Sequence, residues 1–310
     1  MSRTVVNGST RLHVVEEGNP QGPTLVLVHG WPDTHALWDL VVPLLERDFR
    51  IVRYDNRGAG ASTIPRRVAD FRLEHLAADL FAVIDAVSPD EPVHLLGHDW
   101  GAVLCWEAVC DPAARRRVAS YTSVSGPNLD HLGLWMRDRL RRLSLRGPLE
   151  QAAASSYTVL FQIPGLPVPV LRGWFARNWP AFVGFFDRTD PVAITPVAST
   201  LADDMVHGLK LYRANIRRRL ARPRQRRTAV PVLLIQNLRD LAVRPVAYED
   251  THRWVSDLRV ERLAAGHWSP RSRPEDIARA TARFVRDVEA RRHGYRPQVS
   301  VVPDGQDRPE

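Results

Sequence analysis

An aspartate occupies a turn of the kind that presents catalytic nucleophiles. Residues 97–101 read GHDWG and lie between an apolar, strand-like run and a segment that favours helix. Glycines on both sides allow a bend too sharp for larger residues, as in the G-x-S-x-G turns that expose a catalytic serine. Because Asp99 stands at the central position, the pattern predicts a carboxylate nucleophile. The alternative is a tight turn with an ordinary surface aspartate.

The chemistry open to Asp99 differs from that of a serine. A serine hydroxyl must lose a proton before it attacks, whereas a carboxylate with a pKa of about 4 is already an anion at neutral pH. Such an anion can displace a leaving group from an sp³ carbon in one step and form an alkyl ester with the protein. A second step must then hydrolyse the ester, and it requires a base that activates water.

Two later residues could supply this base and hold it in place. Asp240 follows the predicted strand 230–237, and His267 follows the predicted strand 258–266. The C-terminal ends of parallel strands meet at one edge of a sheet, so we expect both side chains near Asp99. His267, oriented by Asp240, would activate the water. Each could singly be an ordinary turn residue, but the order nucleophile, acid, histidine favours a catalytic triad.

Alternating strand and helix patterns must position these residues. Two β-prone arms around Asn7 and Gly8 predict an antiparallel hairpin with a type I′ turn. Ser272 and Glu275 predict a capping box at the start of the last helix. Further strands are expected at 24–30, 49–55, 92–99, 118–126, 230–237 and 258–266, and helices at 36–47, 71–87, 100–110, between the last two strands, and at 274–292.

The alternation is interrupted once. Residues 128–224 are helix-prone, rich in arginine and broken by prolines. We therefore predict an α/β fold with a mostly parallel sheet flanked by helices. Residues 1–127 and 225–292 are expected to form the core, and residues 128–224 an inserted helical cap. The polar, proline-rich residues 293–310 are expected to be a linker or a disordered end.

Composition limits the class of protein. Of the 310 residues, 44% are hydrophobic and 25% are charged, as in ordinary soluble domains. No run of 18 apolar residues and no apolar N-terminal segment is present, which favours a cytoplasmic protein. Cys105 and Cys110 fall in one predicted helix and are expected to be small core residues rather than a disulfide or a metal pair.

Arginine accounts for nearly all of the net charge of +8 and is concentrated at 137–146 and 217–227. These two basic blocks are either solvated surface or a site of peripheral contact with an anionic membrane. Neither block lies beside a nucleic-acid-binding motif, so nucleic acid is not an expected partner.

The motifs together resemble those of epoxide hydrolases of the α/β-hydrolase superfamily. HGWP at 29–32 is similar to the family's H-G-x-P motif, and GHDWG is similar to its aspartate elbow. The resemblance spans about residues 3–290. It implies hydrolysis of an epoxide to a vicinal diol through an alkyl-aspartyl ester, without metal or organic cofactor. It also implies that the backbone N–H groups of Trp31 and Trp100 form the oxyanion hole.

The resemblance extends to the cap, where two tyrosines of the family donate hydrogen bonds to the epoxide oxygen. SSYTVLFQIPG and LKLYRANI are similar to the two segments that carry them, which points to Tyr157 and Tyr212. Each could instead be a core tyrosine whose ring is buried and whose hydroxyl reaches water. Asn237 departs from the family, which often has glycine three residues before the acid.

Apolar residues of the predicted cap bear on the choice of small-molecule epoxide. These residues either pack the cap helices together or form an apolar route to the active site. They are Phe175, Trp179, Phe182 and Phe185. The second interpretation favours a lipophilic epoxide.

Two other functions remain open. Haloalkane dehalogenases have the same fold and an aspartate elbow followed by tryptophan, and the Trp31 indole could hold a halide ion. They have less use for two cap tyrosines, because a halide leaves without a proton whereas an alkoxide is a poor leaving group. The chain could also be a hydrolase-like binding or accessory domain of a larger multidomain protein, although a binding module has no need of an activated histidine.

Overall fold

One eight-stranded sheet organises the described part of the protein. The computed structural model describes residues 1–194 and 197–294. The strands are β1 (Ser2–Asn7), β2 (Thr10–Gly18), β3 (Thr24–Val28), β4 (Arg50–Tyr54), β5 (Val93–His98), β6 (Val118–Val124), β7 (Val232–Asn237) and β8 (Leu258–Leu263). Their spatial order is β1-β2-β4-β3-β5-β6-β7-β8. β1 and β2 pair antiparallel, as do β2 and β4, and β3 to β8 are parallel.

Helices flank this sheet and fill the insertion between β6 and β7. They are α1 (Leu73–Val87), α2 (Trp100–Val109), α3 (Ala114–Arg117), α4 (Leu129–Arg141), α5 (Arg146–Ala154), α6 (Tyr157–Phe161), α7 (Val168–Val170), α8 (Trp179–Asp187), α9 (Leu201–Ala221), α10 (Ser269–Ser272) and α11 (Pro274–Arg292). We call residues 128–224, which contain α4 to α9, the cap. The predicted α/β architecture is confirmed. The predicted tail 293–310 lies outside the described residues from 295 onward.

The central strands are buried on both faces. Every residue of β5 and β6 is buried. Parallel strands covered by helices carry continuous apolar runs instead of an alternating pattern, which made them recognisable in the sequence. Cys105 and Cys110 of this region are free thiols, the first buried and the second half-buried, as expected.

The first hairpin forms where predicted, but with a different turn. Asn7 pairs with Thr10, so Gly8 and Ser9 form the loop instead of Asn7 and Gly8. Gly8 has a φ of +59°, whereas Ser9 is not among the residues with positive φ. A type I′ turn requires positive φ at both loop residues, so this loop has the type II′ pattern, in which glycine comes first.

Two predicted helices are replaced by short 3₁₀ turns. Within 36–47 the chain forms the turns His35–Trp38 and Val42–Leu44. The proline inside the second turn has no N–H to donate, so a continuous α-helix through it would lose a hydrogen bond. Between β7 and β8 the chain forms Pro245–Tyr248 and Thr251–Arg253.

The predicted capping box of Ser272 and Glu275 does not form. The Ser272 hydroxyl instead donates to Asp187 Oδ2 at 3.0 Å and to the Trp268 carbonyl at 3.3 Å. The residue before α11 is Arg273, whose side chain makes no capping hydrogen bond. Ser272 therefore ties the core to the end of the cap helix α8.

Helix α9 fastens the cap to two core segments. The Asn215 side chain accepts the Leu73 N–H at 3.0 Å and donates to the Phe71 carbonyl at 2.8 Å. It thereby satisfies one of the N–H groups that the start of α1 leaves without a helical partner. Asp204 accepts the Gly60 N–H at 3.0 Å.

A buried ion-pair cluster joins α9 to α2 and α4. The Arg219 guanidinium lies 3.1 Å from the Glu107 carboxylate and 3.0 Å from that of Asp130, and all three side chains are buried. Arg224 and Arg226 also reach these carboxylates. Much of the second basic block is therefore neutralised at the junction of cap and core.

Replacing Arg219 with methionine should lower the free energy of unfolding by about 3–5 kcal/mol at pH 7, because two buried carboxylates lose their partner. Burial raises the pKa values of Glu107 and Asp130, and Arg219 opposes that rise. Without Arg219 both carboxyls should take up protons more readily, so the loss should shrink as the pH falls toward 4. Urea unfolding followed by circular dichroism at several pH values measures this.

Arg218 provides the matched control. It pairs with Glu74 at 3.0 Å on the surface, where ion pairs contribute at most about 1 kcal/mol. Arg218→Ala should therefore have a small effect with little dependence on pH. Equal destabilisation by the two substitutions would contradict the assigned role of Arg219.

Candidate active site

The turn between β5 and α2 holds Asp99 in a strained backbone conformation. Asp99 has φ +51° and ψ −123°, and such conformations cost roughly 1–3 kcal/mol for a residue other than glycine. A side chain on Gly101 would collide with the carbonyl oxygens of Val28 and His29, so glycine permits α2 to start this close to β3. The turn places the Asp99 carboxylate at the C-terminal edge of the sheet.

The loop after β3 reaches the same carboxylate. The Trp31 N–H donates a hydrogen bond to Asp99 Oδ1 at 2.7 Å. Trp100 is the first residue of α2, where backbone N–H groups have no partner within the helix. Of the two predicted oxyanion-hole donors, the Trp31 N–H thus contacts Asp99 directly. The other, the Trp100 N–H, belongs to the residue that follows Asp99 in the chain.

The three predicted triad residues meet at this edge. His267 Nδ1 lies 2.9 Å from both Asp240 oxygens, and His267 Nε2 lies 3.4 Å from Asp99 Oδ2. Because Asp240 is an acceptor, Nδ1 carries a proton and Nε2 faces Asp99. Asp240 also accepts the N–H groups of Ala242 and Val243 at 2.8 and 2.9 Å.

Electrostatics couple the three residues. Burial alone would lower the pKa of His267, but the Asp240 and Asp99 carboxylates raise it well above its ordinary value. Burial alone would raise the pKa of Asp240, but His267 and the backbone N–H bonds hold it below its ordinary value. The neighbouring carboxylates therefore favour the protonated form of the histidine.

Buried polar side chains support the histidine loop. His98 Nε2 donates to the His267 carbonyl at 2.8 Å, and the Ser125 hydroxyl donates to the same carbonyl at 3.3 Å. The Asn237 amide donates to the hydroxyls of Ser125 and Ser269, both at 2.8 Å. Asn237, which departs from the family pattern, thus links the ends of β6 and β7 to the segment after His267.

The two predicted cap tyrosines come together above Asp99. Tyr157 begins α6 and Tyr212 lies on α9, with ring centroids 6.1 Å apart. Tyr212 also packs edge-on against Trp100 at 5.0 Å and against Trp31 at 5.6 Å. Burial raises the pKa of both phenols, which therefore remain protonated at neutral pH.

A cavity of about 550 Å³ connects these groups. Asp99, His267, Tyr157 and Tyr212 all line it. The rest of its wall is mainly apolar and includes Leu160, Phe161, Leu166, Val170, Leu171, Phe175, Trp179, Phe182, Phe186 and Trp268. Three of the four apolar cap residues singled out in the sequence belong to this wall. The fourth, Phe185, is 77% exposed and lies outside it.

Two buried carboxylates beside the histidine loop escaped sequence analysis. Asp187 of the cap packs against Gly266, and burial raises its pKa to about 6. Asp33 accepts a hydrogen bond from the Trp268 indole at 3.2 Å, and burial raises its pKa to about 6. Asp33 could have been noticed as the acid that follows HGWP. Asp187 has no comparable signal, because its partners lie far away in the chain.

Hydrogen bonds and a buried ion pair hold the loop after β4. Asp55 accepts hydrogen bonds from the His35 backbone and ring and from the Ala61 N–H, and Arg57 forms a buried pair with Asp79. Among the described residues, one group could in principle hold a metal ion, namely His13, His35 and Asp55. The Asp55 oxygens already accept these loop hydrogen bonds, so a structural role explains why the three residues lie close together.

Comparisons with known proteins agree with this architecture. The family described as alpha/beta hydrolase fold matches residues 23–273. The chain is 44% identical over 299 residues to "Probable oxidoreductase EphD" of Mycobacterium tuberculosis, a match that covers 92% of this chain and 49% of EphD. It is 28% identical over 334 residues to Epoxide hydrolase A of the same species, covering 93% and 98% of the two proteins.

Solved structures give the same result. Epoxide Hydrolase A from Mycobacterium thermoresistibile is 25% identical, with a TM-score of 0.72, and the match covers 92% of this chain and 98% of that one. The chain spans about half the length of EphD, the curated relative with the higher identity. The family match extends over most of the sheet and the site at its edge, and the chain therefore belongs to the α/β-hydrolase fold family.

Proposed function

We propose that this protein hydrolyses an epoxide to a vicinal diol through an ester of Asp99. The observation that carries the proposal is the cavity in which a carboxylate, a paired histidine and two phenols face one another. Similarity to Epoxide hydrolase A over nearly the full length of both proteins supports it. Residues 128–224 act in this proposal as a cap domain over a core of residues 1–127 and 225–292.

The first step alkylates Asp99. One carboxylate oxygen attacks a ring carbon of the epoxide, and the bond from that carbon to the epoxide oxygen breaks. The resulting alkoxide is a poor leaving group unless it receives a hydrogen bond or a proton. Tyr157 and Tyr212 can supply both, because burial keeps their hydroxyls protonated.

The second step hydrolyses the ester. His267 takes a proton from water, the water oxygen attacks the ester carbonyl, and Asp240 stabilises the imidazolium that forms. The N–H groups of Trp31 and Trp100 stabilise the oxyanion. As it collapses, the bond from the carboxyl carbon to the alkyl oxygen breaks and the imidazolium gives its proton to that oxygen, which releases the diol. The second proton of the water returns to the phenol that protonated the epoxide oxygen. Esterification also removes the negative charge of Asp99, one of the two charges that raise the His267 pKa. The ester therefore favours the neutral histidine that this step needs.

The cavity wall favours a lipophilic substrate. Its lining away from the reacting groups consists mainly of aliphatic and aromatic side chains, which gain free energy when an apolar ligand replaces water. We infer that the epoxide carries an extended apolar group.

The alternative of a haloalkane dehalogenase has less support. A halide site would need free indole N–H groups at the elbow. The Trp31 indole donates to the Met205 carbonyl of α9 at 3.0 Å, so this indole is engaged in holding the cap and is not free to bind a halide.

Replacing His267 with glutamine should stop the reaction at the ester. Alkylation needs no base, whereas hydrolysis without the histidine should slow by about 10²- to 10⁴-fold. Because ring opening expels no leaving group, mass spectrometry should find the whole mass of the epoxide added to the peptide that contains Asp99.

Two controls accompany this experiment. Asp99→Ala should form no adduct, and His252→Gln, which changes an exposed histidine, should turn over normally. An unmodified His267→Gln protein that consumes no epoxide would show that the histidine has a different role.

Replacing the cap tyrosines with phenylalanine should block alkylation. Loss of one oxyanion donor costs about 3–4 kcal/mol, roughly a hundred- to a thousandfold in rate, so Tyr212→Phe should be impaired. The double variant with Tyr157→Phe should be almost inert toward epoxides in single-turnover measurements. Tyr54→Phe removes a buried hydroxyl outside the cavity and should change the rate little.

A matched bromoalkane distinguishes the two enzyme classes. Halide release needs no proton donor, so a dehalogenase would tolerate loss of both phenols. Wild-type turnover of the bromoalkane that persists undiminished in the double variant would overturn the epoxide assignment.

A further inference from the structure

Exposed apolar side chains are concentrated on one part of the cap. Among the described residues, 21 large hydrophobic side chains are exposed, and 12 of them lie between residues 140 and 192. That segment is about one sixth of the chain. Singly exposed hydrophobic residues are normal, but a concentration of them indicates an interaction surface.

These side chains continue the wall of the active-site cavity outward. Leu160, Leu166 and Val170 line the cavity and are also 46%, 55% and 58% exposed, so they stand at its mouth. Two exposed aromatic residues extend the mouth further. Trp174 is 59% exposed and Phe185 is 77% exposed.

Each of the exposed aromatic residues contacts a partner inside the cavity. The Trp174 ring lies 6.3 Å from that of Phe175, and the Phe185 ring lies 5.1 Å from that of Phe186. Phe175 and Phe186 line the cavity. Apolar side chains therefore line the cavity, stand at its mouth and lie exposed beside it. We call Leu160, Leu166, Val170, Trp174 and Phe185 the rim.

Positive charge accompanies the rim. Arg141, Arg146, Arg177 and Arg188 of the same segment are exposed. In the second basic block, Arg219, Arg224 and Arg226 pair with carboxylates at the junction of cap and core. Arg141 and Arg146 of the first block lie in the same segment as the rim.

We propose that the rim docks on an anionic lipid bilayer and that a long-chain epoxide enters the cavity directly from the lipid. This inference rests on the proposed function for the identity of the substrate. Aliphatic and aromatic side chains can bury themselves among acyl chains while arginines contact the headgroups. No helix in the described part of the chain has the length and apolar composition to cross a bilayer, so the contact is peripheral.

A second copy of the chain is a less suitable occupant. In a two-fold dimer the same patch meets itself, so the arginines that flank the rim would face the same arginines of the partner. An anionic bilayer satisfies both the apolar and the charged parts of the surface.

Vesicle co-sedimentation tests the docking. Binding to vesicles of phosphatidylcholine with phosphatidylglycerol should exceed binding to phosphatidylcholine alone by about fivefold for each arginine that reaches the surface. The double variant Trp174→Ser with Phe185→Ser should bind on the order of tenfold more weakly or worse. Trp174→Phe with Phe185→Leu keeps the apolar character and should restore binding.

A control pair separates this surface from exposed apolar residues in general. Leu40→Ser with Leu44→Ser changes two exposed leucines outside the cap and should leave vesicle binding intact. Equal binding to neutral and anionic vesicles, or no loss in the rim variant, would overturn the proposal. If light scattering shows that the wild-type protein is a dimer and that the rim variant is a monomer, the surface binds a second copy of the chain. That result would also overturn the proposal.

Turnover separates failure of the docking from failure of the proposed function. The double variant Trp174→Ser with Phe185→Ser, the rim variant, should hydrolyse a small water-soluble epoxide at the wild-type rate. Its rate on a long-chain epoxide embedded in anionic vesicles should fall by at least about tenfold. Equal rates of rim variant and wild type on the embedded substrate would refute uptake from lipid. Wild-type protein that binds vesicles but converts neither epoxide would refute the proposed function and, with it, uptake of an epoxide, while the docking would stand.

Discussion

The buried pairing of one imidazole with two carboxylates is the interaction on which the rest of the structure depends. His267 lies between Asp240 and Asp99, and its buried pairing with Asp240 lets the imidazolium and that carboxylate each stabilise the charge of the other. They come from the ends of three different strands, β8, β7 and β5. The parallel pairing of the sheet is therefore what brings them together, and the strained turn at Asp99 is tolerated because the surrounding strands and glycines determine it.

The cap provides what the sheet edge lacks. Helix α9 supplies Tyr212 and accepts the indole N–H of Trp31, so the loop that donates to Asp99 is held by the cap. Closing the site with apolar walls excludes water, which strengthens every electrostatic interaction inside. Asn215 and the Arg219 cluster add polar attachments to the apolar packing of the cap on the core.

The proximity of the candidate site residues could be predicted from the sequence because its signals are local. The elbow around Asp99 and the acids and histidine at strand ends each occupy a few consecutive residues, and parallel strand order brings such ends together. The cap tyrosines came from family resemblance, and the structure places them in one cavity with Asp99. Asp187 was missed because its hydrogen bond to Ser272 joins residues 85 positions apart, with no periodic pattern between them.

The errors in the fold have physical causes of the same kind. The apolar spacing within 36–47 suggested a helix, but a proline and tertiary contacts divide it into 3₁₀ turns. The sequence also gave no sign that Arg219 is buried, because the carboxylates that pair with it, Glu107 and Asp130, lie in the core helix α2 and in the first cap helix α4. Partners distant in the chain decide such cases.

The covalent ester at Asp99 is the central claim, and the path of oxygen tests it most directly. In a single turnover with excess protein in ¹⁸O-water, the water oxygen attacks the ester carbonyl, so the label should enter the Asp99 carboxylate and the diol should carry none. Mass spectrometry of the diol and of the Asp99 peptide measures both. A diol labelled in the first turnover, with unlabelled Asp99, would mean that water attacks the epoxide directly and would contradict the mechanism.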